Sequence, residues 1–136
     1  MIDYLHKTLT GEQFNELFSN KHFVKLTNDN CKHRDFEYKE GLNTDTIEFN
    51  PTEDCKAGGL YFTDIDNWVS YDNDIGIIYY MWDVKIPDNA TVYIEENKYK
   101  ATGIILTNKR CIYDSQKYCK LAFQQNGFAL QFVFHQ

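Results

Sequence analysis

Carboxylates and thiols are the side chains on which chemistry would draw first in this sequence. Asp64, Asp66, Asp72 and Asp74 stand close together. Carboxylates spaced by two gather a hard cation where a loop curls around it, but a calcium loop adds a glycine and a closing glutamate. That loop does not follow, and helix capping by Asp64 and Asp66 with turn chemistry at Asp72 and Asp74 accounts for the four. The thiols are Cys31, Cys55, Cys111 and Cys119. Zinc favours close pairs of the Cys-x-x-Cys kind; the nearest approach is Cys31-Lys32-His33, with Cys55 as a distant third ligand. Partly buried free thiols are the simpler reading, and disulfides are disfavoured in a reducing cytosol. There is no Gly-x-Ser-x-Gly elbow and no glycine-rich phosphate loop ending in lysine. Cys111 and His135 form a pair only if folding brings them together, and His6 and His135, near the termini, read as exposed side chains.

The aromatic residues offer two further kinds of chemistry. Gly59-Leu60-Tyr61-Phe62, followed by Ser70-Tyr71, resembles the glycine-x-tyrosine-phenylalanine segment of ADP-ribosyltransferases. That resemblance implies NAD as cofactor and Tyr61 as the ring stacked on nicotinamide. It also implies His22 as the ribose ligand and Glu95 or Glu96 as the carboxylate that stabilises an oxocarbenium-like transition state. The sequence departs from the pattern in three places: no glycine follows His22, Ser70 adjoins Tyr71 directly, and neither Glu95 nor Glu96 sits in a family-specific motif. The competing reading sets Tyr61 and Phe62 alternately across a strand, one of them in the core. Tyr79, Tyr80, Trp82 and Tyr93 are amphipathic aromatics, the usual anchors of a protein interface where they are exposed. A recognition surface made of Tyr61, Trp68, Tyr71 and Tyr93, rimmed by the 43–56 loop, is the favoured site, with no catalytic residue and no metal.

Composition limits the partners. The chain has 136 residues, enough for one domain, 1–136, with a sizeable core. A hydrophobic fraction of 43% with ten Tyr and ten Phe argues against disorder, and the aromatic surplus favours strands. Fourteen basic against twenty acidic side chains give a net charge of −6, and the basic residues form no block. Nucleic acid and anionic membranes are therefore poor partners. No secretory core follows Met1, and no stretch approaches the roughly 20 apolar residues of a membrane-spanning helix. The expectation is a soluble intracellular protein, and Met1 with a strand-like terminus fits a complete chain.

Positioning these groups requires a framework that the patterning outlines. Thr10 and Gln13 have capping-box spacing, and Phe14, Leu17 and Phe18 share a helical face, so a helix is predicted from about Gly11 to Ser19. Strands are predicted at Phe23–Thr27, Phe36–Lys39, Leu60–Thr63, Thr91–Glu95 and Ile104–Leu106, with Cys111–Tyr113 following. Ile75 to Ile86 is the longest apolar run and reads as a central strand buried on both faces. Between them, 42–56 reads as a long ordered connection. Thr63 or Asp64 is placed to cap a short helix carrying Ile65, Trp68, Val69 and Tyr71. A last helix, capped by Asp114 or Ser115, precedes a strand from Phe128 to Phe134. The sum is an α+β domain: a mainly antiparallel sheet of about six or seven strands with two or three short helices.

Four segments together carry a second resemblance: Gly41-Leu42-Asn43-Thr44-Asp45-Thr46, Gly58-Gly59-Leu60-Tyr61-Phe62-Thr63, Ile86-Pro87-Asp88-Asn89-Ala90-Thr91-Val92-Tyr93 and Lys98-Tyr99-Lys100-Ala101. They resemble the N-terminal domain of uncharacterised proteins of mimivirus-group giant DNA viruses, many with ankyrin repeats downstream. The ankyrin pattern itself is absent here. The resemblance implies a domain that stands ahead of ankyrin repeats in relatives, and the preferred expectation is a non-catalytic interaction module in the host cytoplasm that binds a host or viral protein. Self-association through an exposed strand such as Phe128 to Phe134 is the related possibility, and an NAD enzyme or a structural virion component are the alternatives.

Overall fold

Thr10 is extended, and its side-chain oxygen accepts from the Gln13 backbone amide (3.1 Å) while the Gln13 side-chain Oε1 accepts from the Thr10 backbone amide (3.0 Å). This capping box starts α1 (Gly11–Leu17) and directs Phe14 inward. A computed structural model describes residues 2–33, 36–52, 58–70 and 78–115 of the chain. Among the described residues ten strands follow one another as β1 (Thr8–Thr10), β2 (Phe23–Thr27), β3 (Lys32–His33), β4 (Phe36–Glu37) and β5 (Gly41–Thr44), then β6 (Leu60–Asp64), β7 (Tyr80–Lys85), β8 (Thr91–Glu95), β9 (Lys98–Ala101) and β10 (Gly103–Cys111).

Eight strands form one sheet in the order β1-β8-β9-β6-β2-β7-β10-β5, and β3 and β4 make a small hairpin of their own. Every pairing is antiparallel. β9 and β10 are one chain path broken only at Thr102, so a strand that begins beside β8 and β6 ends beside β7 and β5. The sheet thereby folds over a single large core. Phe23, Leu60, Phe62, Trp82, Val84, Val92, Ile94, Tyr99, Ile104 and Leu106 point into it, and α1 closes it with Phe14 and Phe18. A smaller core of Val24, Leu26, Trp68, Ile78, Met81 and Ile112 lies on the other face of β2 and β7. Strand periodicity explains the division: Phe23 and Val24, or Met81 and Trp82, are neighbours in sequence and serve opposite faces.

The α+β expectation is corrected by this architecture, which is a sheet-rich fold with one α-helix among the described residues. After β6 the predicted helix does not form. The Asp64 carboxylate accepts from the Asp66 amide (3.1 Å) and the Asn67 side chain (2.7 Å), which closes a turn, and Trp68–Ser70 is a single 3-10 turn. The start of the predicted 42–56 connection is the strand β5. Gly41 has φ +92° and turns the chain, and the Asn43 side chain donates to the Lys39 and Gly41 carbonyls and accepts from the Lys39 amide. That clamp sets Gly41–Thr44 against β10. The predicted Ile75–Ile86 strand is described only from residue 78, where Tyr80–Lys85 is strand with Met81 and Trp82 buried on opposite faces. The C-terminal helix and the strand from Phe128 to Phe134 lie outside the described residues.

Candidate functional site

Tyr61, Lys100 and Tyr93 lie in one row across β6, β9 and β8, on the face opposite the main core. Lys98 and Glu95 form the next row beside them. The Lys98 and Lys100 ammonium groups stand 5.1 and 5.2 Å from the centre of the Tyr61 ring, a cation–π arrangement. Lys100 is fully buried and donates to the Asn50 carbonyl (2.5 Å) and the Thr52 carbonyl (3.4 Å), which ties the loop after β5 to the sheet. Gly59, at φ +129°, leaves room for its stem, since a β-carbon there would sit 2.4 Å from Lys100 Cγ. His6 stacks on the far side of Tyr93 at 6.5 Å.

These rings do not form an exposed anchor. Tyr61 and Tyr93 retain 5% and 6% of their surface and Trp68 retains 1%, in the smaller core. Tyr71 lies outside the described residues, as do Cys55, Cys119, Asp72, Asp74 and His135. Tyr79 and Tyr80 are half-buried and pack edge to face at 4.7 Å. Cys31 and His33 turn to separate partners: His33 Nδ1 accepts from the buried Lys25 ammonium at 2.6 Å, while Lys109 approaches the Cys31 sulfur at 3.9 Å. Asp64 faces Tyr99, whose hydroxyl donates to it at 3.1 Å; burial first and then this carboxylate push the phenol well above its usual range.

His22, Tyr61 and Glu95 are not gathered around one cleft. The His22 carbonyl accepts from the Ile65 amide (2.8 Å), which sets it level with Ile65, four residues along from Tyr61. At about 3.3 Å per residue that is roughly 13 Å. Its imidazole turns instead to β7, where Nε2 meets Asp83 Oδ1 at 2.6 Å. Arg110 joins the same oxygen at 2.9 Å, and Asn108 donates to Oδ2 at 2.9 Å. Burial raises the Asp83 carboxyl, but the hydrogen bonds from Asn108 and His22 and the Arg110 charge outweigh it and hold the group below its ordinary range. The pairing of His22 with Asp83 had no signal in the sequence.

The most exposed large apolar side chains among the described residues are Leu42 and Ile47, at 54% and 55%, with Leu17 at 44%. Leu42 is on β5, the last strand of the sheet among the described residues, and Ile47 is in the loop that leaves it. Asp45 shapes that loop by accepting from the Ile47 amide (3.1 Å) and the Gly59 amide (2.7 Å). Leu42 pairs with Ile105, and Ile105 with Lys85, so the three share a row on one face. This edge, absent from the predicted aromatic set except as its rim, is the accessible apolar surface of the described fold.

No family model and no solved structure matches the chain. Three relatives from Acanthamoeba polyphaga mimivirus do. "Putative ankyrin repeat protein R868" is 35% identical over 105 residues, covering 72% of this chain and 51% of the relative. "Putative ankyrin repeat protein R229" is 30% identical over 110 residues, 71% of this chain and 36% of the relative. "Uncharacterized protein R869" is 36% identical over 99 residues, 69% of this chain and 70% of the relative. The chain thus spans about half or less of the two ankyrin-named relatives and most of the third. A match at 36% identity that covers 70% of the uncharacterised relative places the chain in the family of these mimivirus proteins.

Proposed function

We propose that the domain is a protein-interaction module of a giant-virus protein, acting in the infected host cell through β5 and the loop that follows it. The observation that carries this reading is the placement of Leu42 and Ile47. One exposed apolar side chain lies on the last strand of the sheet among the described residues and the other in the loop that leaves it, where a partner can add both side-chain contacts and backbone hydrogen bonds. The names of two relatives support it, because ankyrin arrays are binding scaffolds and this domain covers only part of those proteins. Tyr61, Tyr93 and Trp68 are buried, and the Tyr61 ring packs with the Lys100 ammonium that holds the Asn50–Thr52 loop. Affinity capture of the tagged protein from infected cells, beside a Leu42→Asp/Ile47→Asp variant, tests the reading. A stoichiometric partner that is lost in the variant supports it. A partner retained by the folded variant rejects this surface.

A further inference from the structure

β7 runs past the point where β2 begins. Phe23 pairs with Val84, so Lys85 and Ile86 have no neighbour on β2, and the end of α1 borders the gap that results. The gap is a cleft of about 630 Å³, inside the range of about 300–1,000 Å³ that ligand sites occupy. Its floor is the main core laid open. Phe18, Phe23, Val84 and Ile86 keep 7, 8, 7 and 5% of their surface, whereas Phe14 and Phe62 beside them keep none. Two lysines, Lys21 and Lys85, stand on its rim beside His22. Asp83 is the one carboxylate among the described lining residues, and His22, Asn108 and Arg110 already engage it. Lys85 is exposed and makes no ion pair with a described residue, and Lys21 pairs at 3.8 Å with Asp64, which lies outside the lining. This basic, apolar-floored cleft belongs to a chain of net charge −6. It is also continuous with the sheet edge through the row Lys85, Ile105 and Leu42.

From this charge complementarity we infer that the cleft receives a peptide segment of the partner in which an aromatic or aliphatic side chain is flanked by acidic ones. The apolar side chain sits on Phe18, Phe23 and Val84, and the carboxylates meet Lys21 and Lys85. The inference rests on the interaction reading above and gives that partner a chemistry. Its test is selection of random displayed peptides on the intact chain, with affinities of the selected peptides then measured by fluorescence anisotropy. Lys85→Glu and Lys21→Gln are the test variants, with circular dichroism and thermal melts confirming their folds; Lys85, being exposed, tolerates exchange. The expected result is enrichment of apolar residues with acidic neighbours, affinity that falls as salt rises, and about a tenfold loss or more in Lys85→Glu. Failure to enrich any motif, enrichment of basic or neutral motifs, or equal affinity for wild type and both variants overturns the inference. Peptides indifferent to Lys85→Glu but lost in Leu42→Asp/Ile47→Asp also overturn it, while leaving the interaction reading in place.

Discussion

Phe14 is the side chain through which α1 holds the sheet, and its removal has a calculable cost. The ring is fully buried and meets Phe23 at 4.9 Å, Phe18 at 5.0 Å, Tyr99 at 5.6 Å and Phe62 at 6.0 Å. Three of those partners come from β2, β6 and β9, so one side chain joins the helix to three strands of the sheet. Truncating a buried Phe to Ala costs about 3–5 kcal/mol, and each lost edge-to-face contact adds to the cost of lost burial. Phe14→Ala should lie near the upper end, about 4–5 kcal/mol, because the cavity is walled by rigid rings that relax poorly. Against a total stability of about 5–15 kcal/mol that is a large share. At about 3–5 °C per kcal/mol for a chain of this size, the melting temperature should fall by roughly 12–25 °C. Urea denaturation of wild type, Phe14→Ala and Leu17→Ala gives the comparison. Leu17 lies on the same helix but is 44% exposed, so its truncation should cost about 1 kcal/mol or less. Similar losses in the two variants, at equal denaturant slopes, would refute the claim that the helix is pinned by the Phe14 ring cluster.

Further consequences follow from contacts elsewhere in the fold. A β-carbon at Gly11 would stand 1.8 Å from the Pro87 carbonyl oxygen, and the Gly11 amide donates to the Ala90 carbonyl at 2.7 Å; Gly11→Ala should therefore destabilise by about 1–3 kcal/mol despite its better helix propensity, as read from a thermal melt. Asp83 has a folded-state pKa below its ordinary 3.8, so its contribution to stability is complete above that value and is lost as pH falls through the lower folded value. Stability curves of wild type and Asp83→Asn should accordingly converge as pH drops below about 4, and a gap that stays constant down to the acid limit would contradict the pairing with His22, Asn108 and Arg110.

Much of this framework was legible where local chemistry is decisive. The Thr10–Gln13 box fixed the helix start, and Phe23–Thr27 and Thr91–Glu95 carry the β-branched and aromatic residues of buried strands. β9 was missed because Lys98-Tyr99-Lys100-Ala101 reads as polar; only the sheet shows that Lys100 is wholly buried beneath Tyr61 and bonded to Asn50. β5 depends on the Asn43 clamp, and β1 on pairing with a strand far away in sequence, neither of which leaves a periodic trace. The burial of the aromatic residues is hard to read from sequence for a related reason. Residue type says that Tyr61, Trp68 and Tyr93 can anchor a partner, but which face of a strand is covered is decided by the rest of the fold. The cleft was invisible altogether, since it arises from the offset between the ends of β2 and β7.

Hydrogen–deuterium exchange of the purified domain, free and bound to its captured partner, tests the central claim most directly. The interaction reading predicts slowed exchange on binding in Gly41–Thr44, in the loop through residue 47, and in the stretch of β10 around Ile105. Unchanged exchange there, with protection confined to other segments, would contradict it.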